Sequence, residues 1–381
     1  MAPFTRFFST SAWARHRDDV GISDFVFGNP HEMPLPGFVA ALQHSLPPQN
    51  ALWFGYKENE PESREIVASS LRSLRGREFT PQDVFMTNGG FAALSVSIAA
   101  LTDPGDEVIY LTPPWFFYES IIVSHGATAV SVPIDSESYD LDLEAIAAAI
   151  TGRTRAIIVN SPNNPTGKIY PPATLAALAG ILSDASARNG QPIYLLSDEA
   201  YSRILFDGRE FNSPTAYYPD SLLLYTYGKT LLTPGQRIGY IALAPEMQDK
   251  AGLREAVFAA QIAAGWAFPN ALLQHALGEL EKVSIDLTHL QAKRDTMVAE
   301  LRGMGYELAV PEGTFYLLVH SPETDDRAFC DRLARQGIYV LPGSVAELPG
   351  TFRISLTASD AMIDRSLPGF RAAIEGLVVN G

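Results

Sequence analysis

Short apolar segments alternate with alanine-rich segments through the middle of the chain, and this alternation most limits the folds that the sequence can adopt. Residues 108–111, 156–160 and 193–197 are short, apolar and rich in β-branched side chains, which is typical of strands buried on both faces. Helix-like segments lie between them, at 143–150 and 173–188. Apolar strands joined by helices predict an α/β fold, in which helices cover both faces of a mainly parallel sheet.

After residue 243 the pattern changes, which indicates a second unit. A helical region at about 270–302 leads into short alternating segments, as expected of a smaller α+β domain. These segments are 306–310, 314–319, 339–341 and 352–355. We therefore predict a large domain at 50–288, a small C-terminal domain at 289–381, and an N-terminal arm with part of the small domain at 1–49.

Charge and cysteine content exclude several kinds of protein. The 381 residues include 28 Lys and Arg against 43 Asp and Glu, a net charge of −15, which argues against nonspecific binding to nucleic acid or anionic membranes. Cys330 is the only cysteine, so neither an intrachain disulfide nor a multi-cysteine metal cluster can form, and we predict no metal site. No apolar stretch is long enough to span a membrane, and the expected compartment is cytoplasmic.

The N-terminal segment 1–17 has two interpretations. It contains Arg6, Arg15 and Arg17, several hydroxyl residues and no acidic residue, a composition similar to that of a transit peptide. The alternative is an arm that packs on the body of the protein or on a partner subunit. We favour the arm.

Two glycine- and proline-containing turns follow predicted strands. Gly89 and Gly90 stand between a strand and a helix, where free backbone N–H groups suit a phosphate, although an ordinary tight turn would have the same sequence. The run NNPTG at 163–167 also follows a strand. Proline fixes φ there, so Asn164 is expected to be held in one place.

Charged residues follow the next strands. Asp198 comes directly after 193–197, Lys229 follows 222–225, and Arg237 comes shortly afterwards. A carboxylate at the end of a buried strand needs a partner, because an unpaired buried charge is costly. Each residue could make a structural salt bridge. Their joint occurrence favours a ligand site, because α/β folds bind ligands at the carboxyl ends of the strands.

From about residue 27 to 356 the sequence resembles the class I/II aminotransferases, which are pyridoxal phosphate (PLP)-dependent enzymes of fold type I in the aspartate aminotransferase-like superfamily. The matching residues, in the family's order, are NNPTG at 163–167, Asp198, Tyr201, Lys229, Arg237 and FRIS at 352–355. The resemblance implies a large PLP-binding domain with a mainly parallel sheet of the seven-stranded type. It also implies a small domain built from both chain ends, and a homodimer with shared active sites.

The resemblance also implies roles around the cofactor ring. Lys229 would form a Schiff base with PLP and then move the proton between the substrate Cα and the cofactor. Asp198 would pair with the protonated pyridine nitrogen. Asn164 and Tyr201 would hydrogen-bond the 3-oxygen of the ring. Trp115 would stack on the ring face, although an ordinary core position is the alternative.

Phosphate and substrate contacts follow from the same resemblance. The phosphate would be held by the backbone of Gly89, Gly90 and Phe91, by the hydroxyl of Thr226, where the family usually has Ser or Gly, and by Arg237. Arg353 would bind the substrate α-carboxylate with two donors. Gly28 and Asn29 match a turn near the substrate, which Trp115 and Asn164 would also contact.

One departure from the family concerns a tyrosine that reaches the phosphate of the other subunit. Counting along the chain places Phe54 at that position, with Tyr56 two residues later and Asn59 where a glycine is usual. Either Tyr56 serves instead or the hydroxyl is missing. We favour Tyr56.

These features predict an aminotransferase that moves the amino group of an L-amino acid to a 2-oxo acid, with 2-oxoglutarate as the expected acceptor. A PLP-dependent lyase or decarboxylase on the same scaffold is one alternative. A non-catalytic PLP-binding regulatory protein is another, but the sequence has no basic helix-turn-helix-like extension. The donor stays open. An aromatic wall of Trp115, Phe116, Phe117, Tyr118, Trp266 and Phe268 would favour bulky apolar side chains, whereas Arg6, Lys57 or Arg203 would be needed for a distal carboxylate.

Overall fold

The computed structural model describes residues 2–378, so Met1 and residues 379–381, at the outer ends of the two predicted terminal segments, lie outside the described residues. The strands are β1 (Ser23–Asp24), β2 (Val84–Thr87), β3 (Glu107–Thr112), β4 (Thr128–Pro133), β5 (Thr154–Asn160), β6 (Tyr194–Asp198), β7 (Ser221–Thr226), β8 (Gly239–Leu243), β9 (Tyr316–His320), β10 (Ile338–Tyr339), β11 (Leu341–Pro342) and β12 (Thr351–Ser355). The helices are α1 (Ala2–Thr10), α2 (Ala12–His16), α3 (Pro36–Ser45), α4 (Pro61–Arg75), α5 (Gly89–Leu101), α6 (Tyr118–Ser124), α7 (Leu143–Ala149), α8 (Pro172–Asn189), α9 (Tyr227–Thr230), α10 (Lys250–Ala263), α11 (Ala271–His275), α12 (Leu277–Leu280), α13 (Leu287–Gly303), α14 (Asp326–Ala334) and α15 (Asp360–Val378).

A seven-stranded sheet forms the centre of the fold. Its strand order is β2-β8-β7-β6-β5-β3-β4. Strand β8 is antiparallel to both of its neighbours, and the other pairs are parallel. The predicted α/β fold with a mainly parallel sheet is therefore confirmed.

Helices pack on both faces of this sheet, which explains why the middle residues of its central strands are apolar. In β5, Ile158 packs with Val96 of α5 and Val257 of α10. The preceding residue, Ile157, faces the other side and packs with Leu178 of α8. Successive strand residues point to opposite faces, so a strand covered on both faces needs apolar side chains at every position.

Smaller sheets combine the two ends of the chain. Strands β11, β12 and β9 form an antiparallel sheet, while β1 pairs with β10 in parallel. Phe25 from the N-terminal segment packs with Phe352 and Phe370 in one hydrophobic cluster. Because the two chain ends share this cluster, we propose that the domains divide near residues 49 and 288. Helix α3 packs on the larger domain through Phe38.

Two expected elements have a different form in the structure. The helical region expected at about 270–302 consists of α11, α12 and α13. Asp286 separates the last of them, because its side chain accepts hydrogen bonds from the first backbone N–H groups of α13 and so favours a helix start. The alternating segment at 306–310 contributes a single bridge, between Leu308 and Val319.

The N-terminal segment forms α1 and α2 and packs on the body of the protein, as favoured from the sequence. Trp13 is buried, and its Nε1 donates to Asp24 Oδ2 at 3.0 Å. Phe4 and Phe7 pack on the same cluster as Trp13. Across residues 2–378, the helices are too short or too polar to traverse a lipid bilayer.

Candidate active site

Three neighbouring strands end at the same edge of the large sheet and place polar residues there. β5 ends at Asn160, β6 at Asp198 and β7 at Thr226. Parallel strands bring their carboxyl ends to one edge, so residues distant in sequence converge. Asn160 connects two of them: its Oδ1 accepts from Asn164 N at 2.8 Å, and its Nδ2 donates to the Asp198 carbonyl at 3.0 Å.

A single cavity at this edge contains most of the residues that the sequence singled out. Its lining residues are Gly90, Phe91, Leu94, Trp115, Asn160, Asn164, Asp198, Ala200, Tyr201, Thr226, Gly228, Lys229, Pro234 and Arg237. Gly89, Gly28, Asn29, Arg353 and Tyr56 are outside this lining. Gly89, Gly28 and Arg353 are near it through contacts described below, and Asn29 follows Gly28 in the chain, whereas Tyr56 lies elsewhere.

Asp198 lines the cavity, and its carboxylate accepts two hydrogen bonds from neighbouring residues. Tyr118 donates its hydroxyl to Asp198 Oδ2 at 2.6 Å, and Ala200 N donates to Asp198 Oδ1 at 3.2 Å. Burial raises the pKa of Asp198, and the Tyr118 hydrogen bond, the Ala200 hydrogen bond and the charge of Lys229 oppose that rise. A cation placed next to this buried carboxylate would stabilise its ionised form.

Lys229 lies on α9, a single helical turn that follows β7 directly. Its Nζ lies 5.5 Å from the ring centre of Tyr201 and 5.7 Å from that of Phe315. Among residues 2–378, this amine has no hydrogen-bond partner and no ion-pair partner. The amine is therefore available to a ligand in the cavity.

Gly89, Thr226 and Arg237 form a cradle that suits an anion. Gly89 has a φ of 77°, and a Cβ on it would lie 3.0 Å from Arg237 Nη2 and 3.4 Å from Thr226 Oγ1. Only glycine leaves that space open without strain. Gly89 also begins α5, whose first N–H groups favour a phosphate.

Arg353 is buried on β12 and is oriented by two acceptors. Its Nη1 donates to Asn164 Oδ1 and its Nη2 to the Val26 carbonyl, both at 2.9 Å. Its guanidinium carbon lies 3.9 Å from the ring centre of Tyr316. Its Nε is buried without a partner among the described residues. An unsatisfied donor in the interior is unfavourable, so this group is suited to binding a carboxylate.

Tyr201 and Tyr316 lie side by side, with ring centres 5.9 Å apart, near the two basic groups Lys229 and Arg353. They share a hydrogen bond, and burial together with that bond raises the pKa of Tyr201. Burial also opposes ionisation of Tyr316, but the charges of Arg353 and Lys229 outweigh it and lower the pKa of Tyr316. Of the two phenols, Tyr316 is therefore the one whose ionisation the neighbouring positive charges favour.

The turn expected near the substrate lies against these tyrosines. A Cβ on Gly28 would lie 2.8 Å from the Tyr316 hydroxyl and 2.7 Å from the Phe315 ring, so a larger residue would clash. The Asn29 carbonyl accepts from Thr357 Oγ1 at 2.7 Å. Trp115 is half-buried and lines the cavity beside Phe91, with ring centres 5.2 Å apart.

Tyr56 lies away from the cavity of its own chain. Its side chain is fully exposed, and it lines a separate surface cavity with Phe54 and Phe268. The cations considered for a distal carboxylate also lie elsewhere. Lys57 pairs with Glu60 at 3.4 Å, Arg203 pairs with Glu281 at 2.7 Å, and Arg6 lines a groove beneath the N-terminal arm.

Sequence reasoning missed Asn160 and Tyr316 as functional residues, and it placed Tyr118 in an aromatic wall, whereas the structure places its hydroxyl on Asp198. Asn160 ends a strand like Asp198, so the same strand-end rule could have identified it. Tyr118 and Tyr316 had no such signal. Their hydroxyls meet Asp198 and Tyr201 only because α6 and β9 pack against the cavity.

The sequence profile of the family described as aminotransferase class I and II matches residues 20–368. The chain belongs to this family. The match covers the strands of the large sheet, the cavity and Arg353, so the predicted membership of the class I/II aminotransferases is confirmed.

Curated relatives and solved structures agree with the family. The probable aspartate/prephenate aminotransferase of Thermus aquaticus is 32% identical over 321 residues, which cover 83% of this chain and 82% of that protein. The aspartate/prephenate aminotransferase of Thermus thermophilus is 33% identical over 319 residues, with coverage of 81% and 80%. A crystal structure of an amino transferase from Eubacterium rectale has a TM-score of 0.91 at 31% identity, and covers 99% of this chain and 96% of that one.

This aminotransferase moves an amino group between an amino acid and a 2-oxo acid. The family profile and the names of the curated relatives confirm the predicted enzyme class. They do not favour a lyase or decarboxylase, nor a non-catalytic regulatory protein.

Proposed function

We propose that this enzyme binds PLP in the cavity at the strand ends and passes an amino group from an L-amino acid to a 2-oxo acid, with 2-oxoglutarate as the acceptor. One observation carries this proposal. The amine of Lys229, the carboxylate of Asp198 and the anion cradle of Gly89, Thr226 and Arg237 surround the same cavity. A cofactor with a phosphate, a basic ring nitrogen and an aldehyde needs those three groups.

The residues fit the chemistry of that cofactor. When bound, PLP would act as an electron sink that makes the Cα proton of the substrate acidic. Asp198, whose pKa burial raises, would pair with a protonated ring nitrogen, because the two charges would stabilise each other. Lys229 would hold the cofactor and would carry the proton to and from the substrate Cα.

The substrate carboxylate would bind Arg353. Asn164 Oδ1 and the Val26 carbonyl fix the plane of its guanidinium, and the remaining N–H groups stay free for a carboxylate. A substrate held in one orientation presents its Cα–H bond to Lys229 in a fixed direction, which is a large part of catalysis. Asn164, Gly28 and Asn29 complete this end of the site in our proposal.

The exposed segment around Tyr56 supports a homodimer with shared sites. Trp53 is held to its own chain, since its ring stacks on His275 at 3.5 Å. In contrast, Phe54 is 54% exposed and Tyr56 is completely exposed. Large apolar side chains exposed to solvent are unfavourable unless another surface covers them. We propose that Tyr56 reaches the phosphate site of a second copy.

We also propose that the enzyme is cytoplasmic.

A half-reaction screen tests the proposed function. The PLP-loaded protein is mixed with one amino acid at a time, the cofactor absorbance is followed, and the products are identified by mass spectrometry. We expect a 2-oxo acid from each reactive amino acid, and restoration of the starting absorbance by 2-oxoglutarate. Release of carbon dioxide or of an eliminated side chain without a 2-oxo acid would contradict amino transfer.

A further inference from the structure

Six aromatic side chains form a continuous wall that runs from the N-terminal arm to the cavity. They are Phe4, Phe27, Phe91, Trp115, Phe116 and Phe117. This wall shares three residues with the aromatic wall expected from the sequence and does not include Tyr118, Trp266 or Phe268. Phe4 stacks on Phe116 with ring centres 4.6 Å apart and meets Phe117 at 4.9 Å. Phe117 meets Trp115 at 5.1 Å, and Trp115 meets Phe91 at 5.2 Å. The first helix of the chain is thereby connected to the cavity that holds Lys229.

The wall differs from an ordinary core. All six side chains are half-buried, whereas core aromatic residues such as Phe315 and Phe352 are fully buried. Each ring of the wall therefore keeps part of its surface open. A contiguous apolar surface that stays open beside a polar site is typical of a ligand-binding surface.

The wall also lies where a substrate side chain would reach. Phe27 follows Val26, whose carbonyl orients Arg353 at 2.9 Å. Trp115 and Phe91 line the cavity together with Lys229. A substrate held by its carboxylate at Arg353 and by its Cα near Lys229 has only its side chain left to contact this surface.

The wall has no charged group for an acidic side chain. Of the arginines of the arm, Arg17 lies over Phe8 and Trp13 at 5.6 and 5.4 Å, and Arg6 lines the groove beneath the arm. Among residues 2–378, the cation–ring contacts involve none of the six wall residues. A distal carboxylate placed here would lose its hydration without gaining a partner, which is strongly unfavourable.

We propose that the arm, through Phe4, closes a side-chain subsite that accepts amino acids with large apolar side chains, above all aromatic ones, and disfavours aspartate. The inference rests on the proposed function, because it assigns the substrate class of the same site. Phe4 is in this view a specificity-determining residue.

The test compares half-reaction rates for phenylalanine, alanine and aspartate in the PLP-loaded enzyme. We expect the kcat/KM for phenylalanine to exceed that for aspartate by at least about a hundredfold, since a site matched to one side chain leaves the other's polar groups unpaired. Phe4→Ala should lower the phenylalanine value about tenfold and leave alanine within about twofold, because only the larger side chain reaches the removed ring.

Phe7→Ala is the matched control. Phe7 lies on the same helix, packs on Trp13 at 6.0 Å and meets the wall at Phe27, with ring centres 6.4 Å apart. Because Phe27 does not line the cavity, Phe7→Ala should change the stability of the arm without changing the ratio of the phenylalanine and alanine rates. Phe116→Ala, on the body of the protein, should repeat the Phe4→Ala effect if the arm variant unfolds locally.

The outcomes separate this inference from the proposed function. Amino transfer with aspartate as the faster donor would overturn the inference and leave the function intact. Equal effects of the Phe4 and Phe7 substitutions on the rate ratio would overturn the role of Phe4. If no amino acid forms a 2-oxo acid, the proposed function fails and this inference fails with it.

Discussion

Arg353 Nη1 donates a hydrogen bond to Asn164 Oδ1 at 2.9 Å, although the two residues are 189 positions apart in the chain. Asn164 lies in the loop after β5, and Arg353 lies on β12. The bond therefore joins the sheet that positions the cavity to the smaller sheet that carries the proposed carboxylate-binding group. It holds that arginine directly beside a residue that lines the cavity.

Arg353→Lys should raise KM at least tenfold, on the order of 1.5–3 kcal/mol, because lysine cannot reproduce a two-donor contact with a carboxylate. The increase should affect the amino acid and the 2-oxo acid alike, while the absorbance of the bound cofactor stays normal. Steady-state kinetics with both substrates measures it. Arg209→Lys, at an exposed ion pair with Glu312, is the control, and an unchanged KM in Arg353→Lys would place the carboxylate elsewhere.

Lys229→Ala should lower turnover by roughly a thousandfold or more, because the proton carrier and the anchor of the cofactor are lost together. Some PLP should remain bound through the phosphate cradle. Borohydride reduction followed by peptide mapping should find PLP fixed to Lys229 in the parent enzyme. The same result is expected for the control variant Lys282→Ala, which changes an exposed lysine. Normal amino transfer by Lys229→Ala would refute the assignment.

Asp198 should make the stability of the PLP-free protein depend on pH. Burial raises its pKa above the ordinary value of 3.8, so its stabilising contribution is complete below that value and is lost as the pH rises through the raised pKa. Asp198→Asn removes this loss. Urea unfolding at pH 4 and pH 7 should show the variant gaining stability relative to the parent at the higher pH. An equal difference at both pH values would contradict the shift.

The neighbouring carboxylate, Glu199, is completely buried and pairs with Arg75 at 2.8 Å. Arg75→Ala should lower the free energy of unfolding by about 3–5 kcal/mol, because it leaves that charge unpaired in the interior. The double variant Arg75→Met with Glu199→Leu should recover most of the loss. Arg209→Ala, at an exposed pair, should cost at most about 1 kcal/mol. Similar losses for the two single variants would argue against a buried charge pair.

Tyr56→Phe should weaken PLP binding by about 0.5–3 kcal/mol, the range for one hydrogen bond, if Tyr56 reaches the phosphate of a second subunit. Equilibrium titration of the PLP-free protein with PLP measures this loss. Phe54→Ala is the comparison, since it removes packing and no hydroxyl.

Subunit mixing tests whether that contact crosses between chains. In a hybrid of Lys229→Ala and Tyr56→Phe subunits, one site carries both defects and the other carries neither. At limiting PLP, the mixture should therefore exceed the average activity of the two parents. An average value after verified subunit exchange would mean that Tyr56 acts within its own chain.

The sequence predicted the large sheet and most of the cavity because both depend on local signals. A strand covered on both faces requires apolar residues through its middle, as at 156–159 of β5, and a polar residue at the end of such a strand then stands out, as Asp198 does. Tyr118 and Tyr316 lacked such a signal, because their roles arise from how α6 and β9 pack. The region expected to be helical at about 270–302 contains three helices, and average helical composition does not show where one ends and the next begins, although a capping residue such as Asp286 does.

The position of Arg353 near the end of the chain affects the order in which the enzyme is completed during synthesis. Every residue that lines the cavity lies at or before Arg237, so a ribosome adds all of them well before it adds β12. A chain that terminates between the two would therefore contain the cavity-lining residues without Arg353, and its product could be told from the complete enzyme by the loss of that single guanidinium.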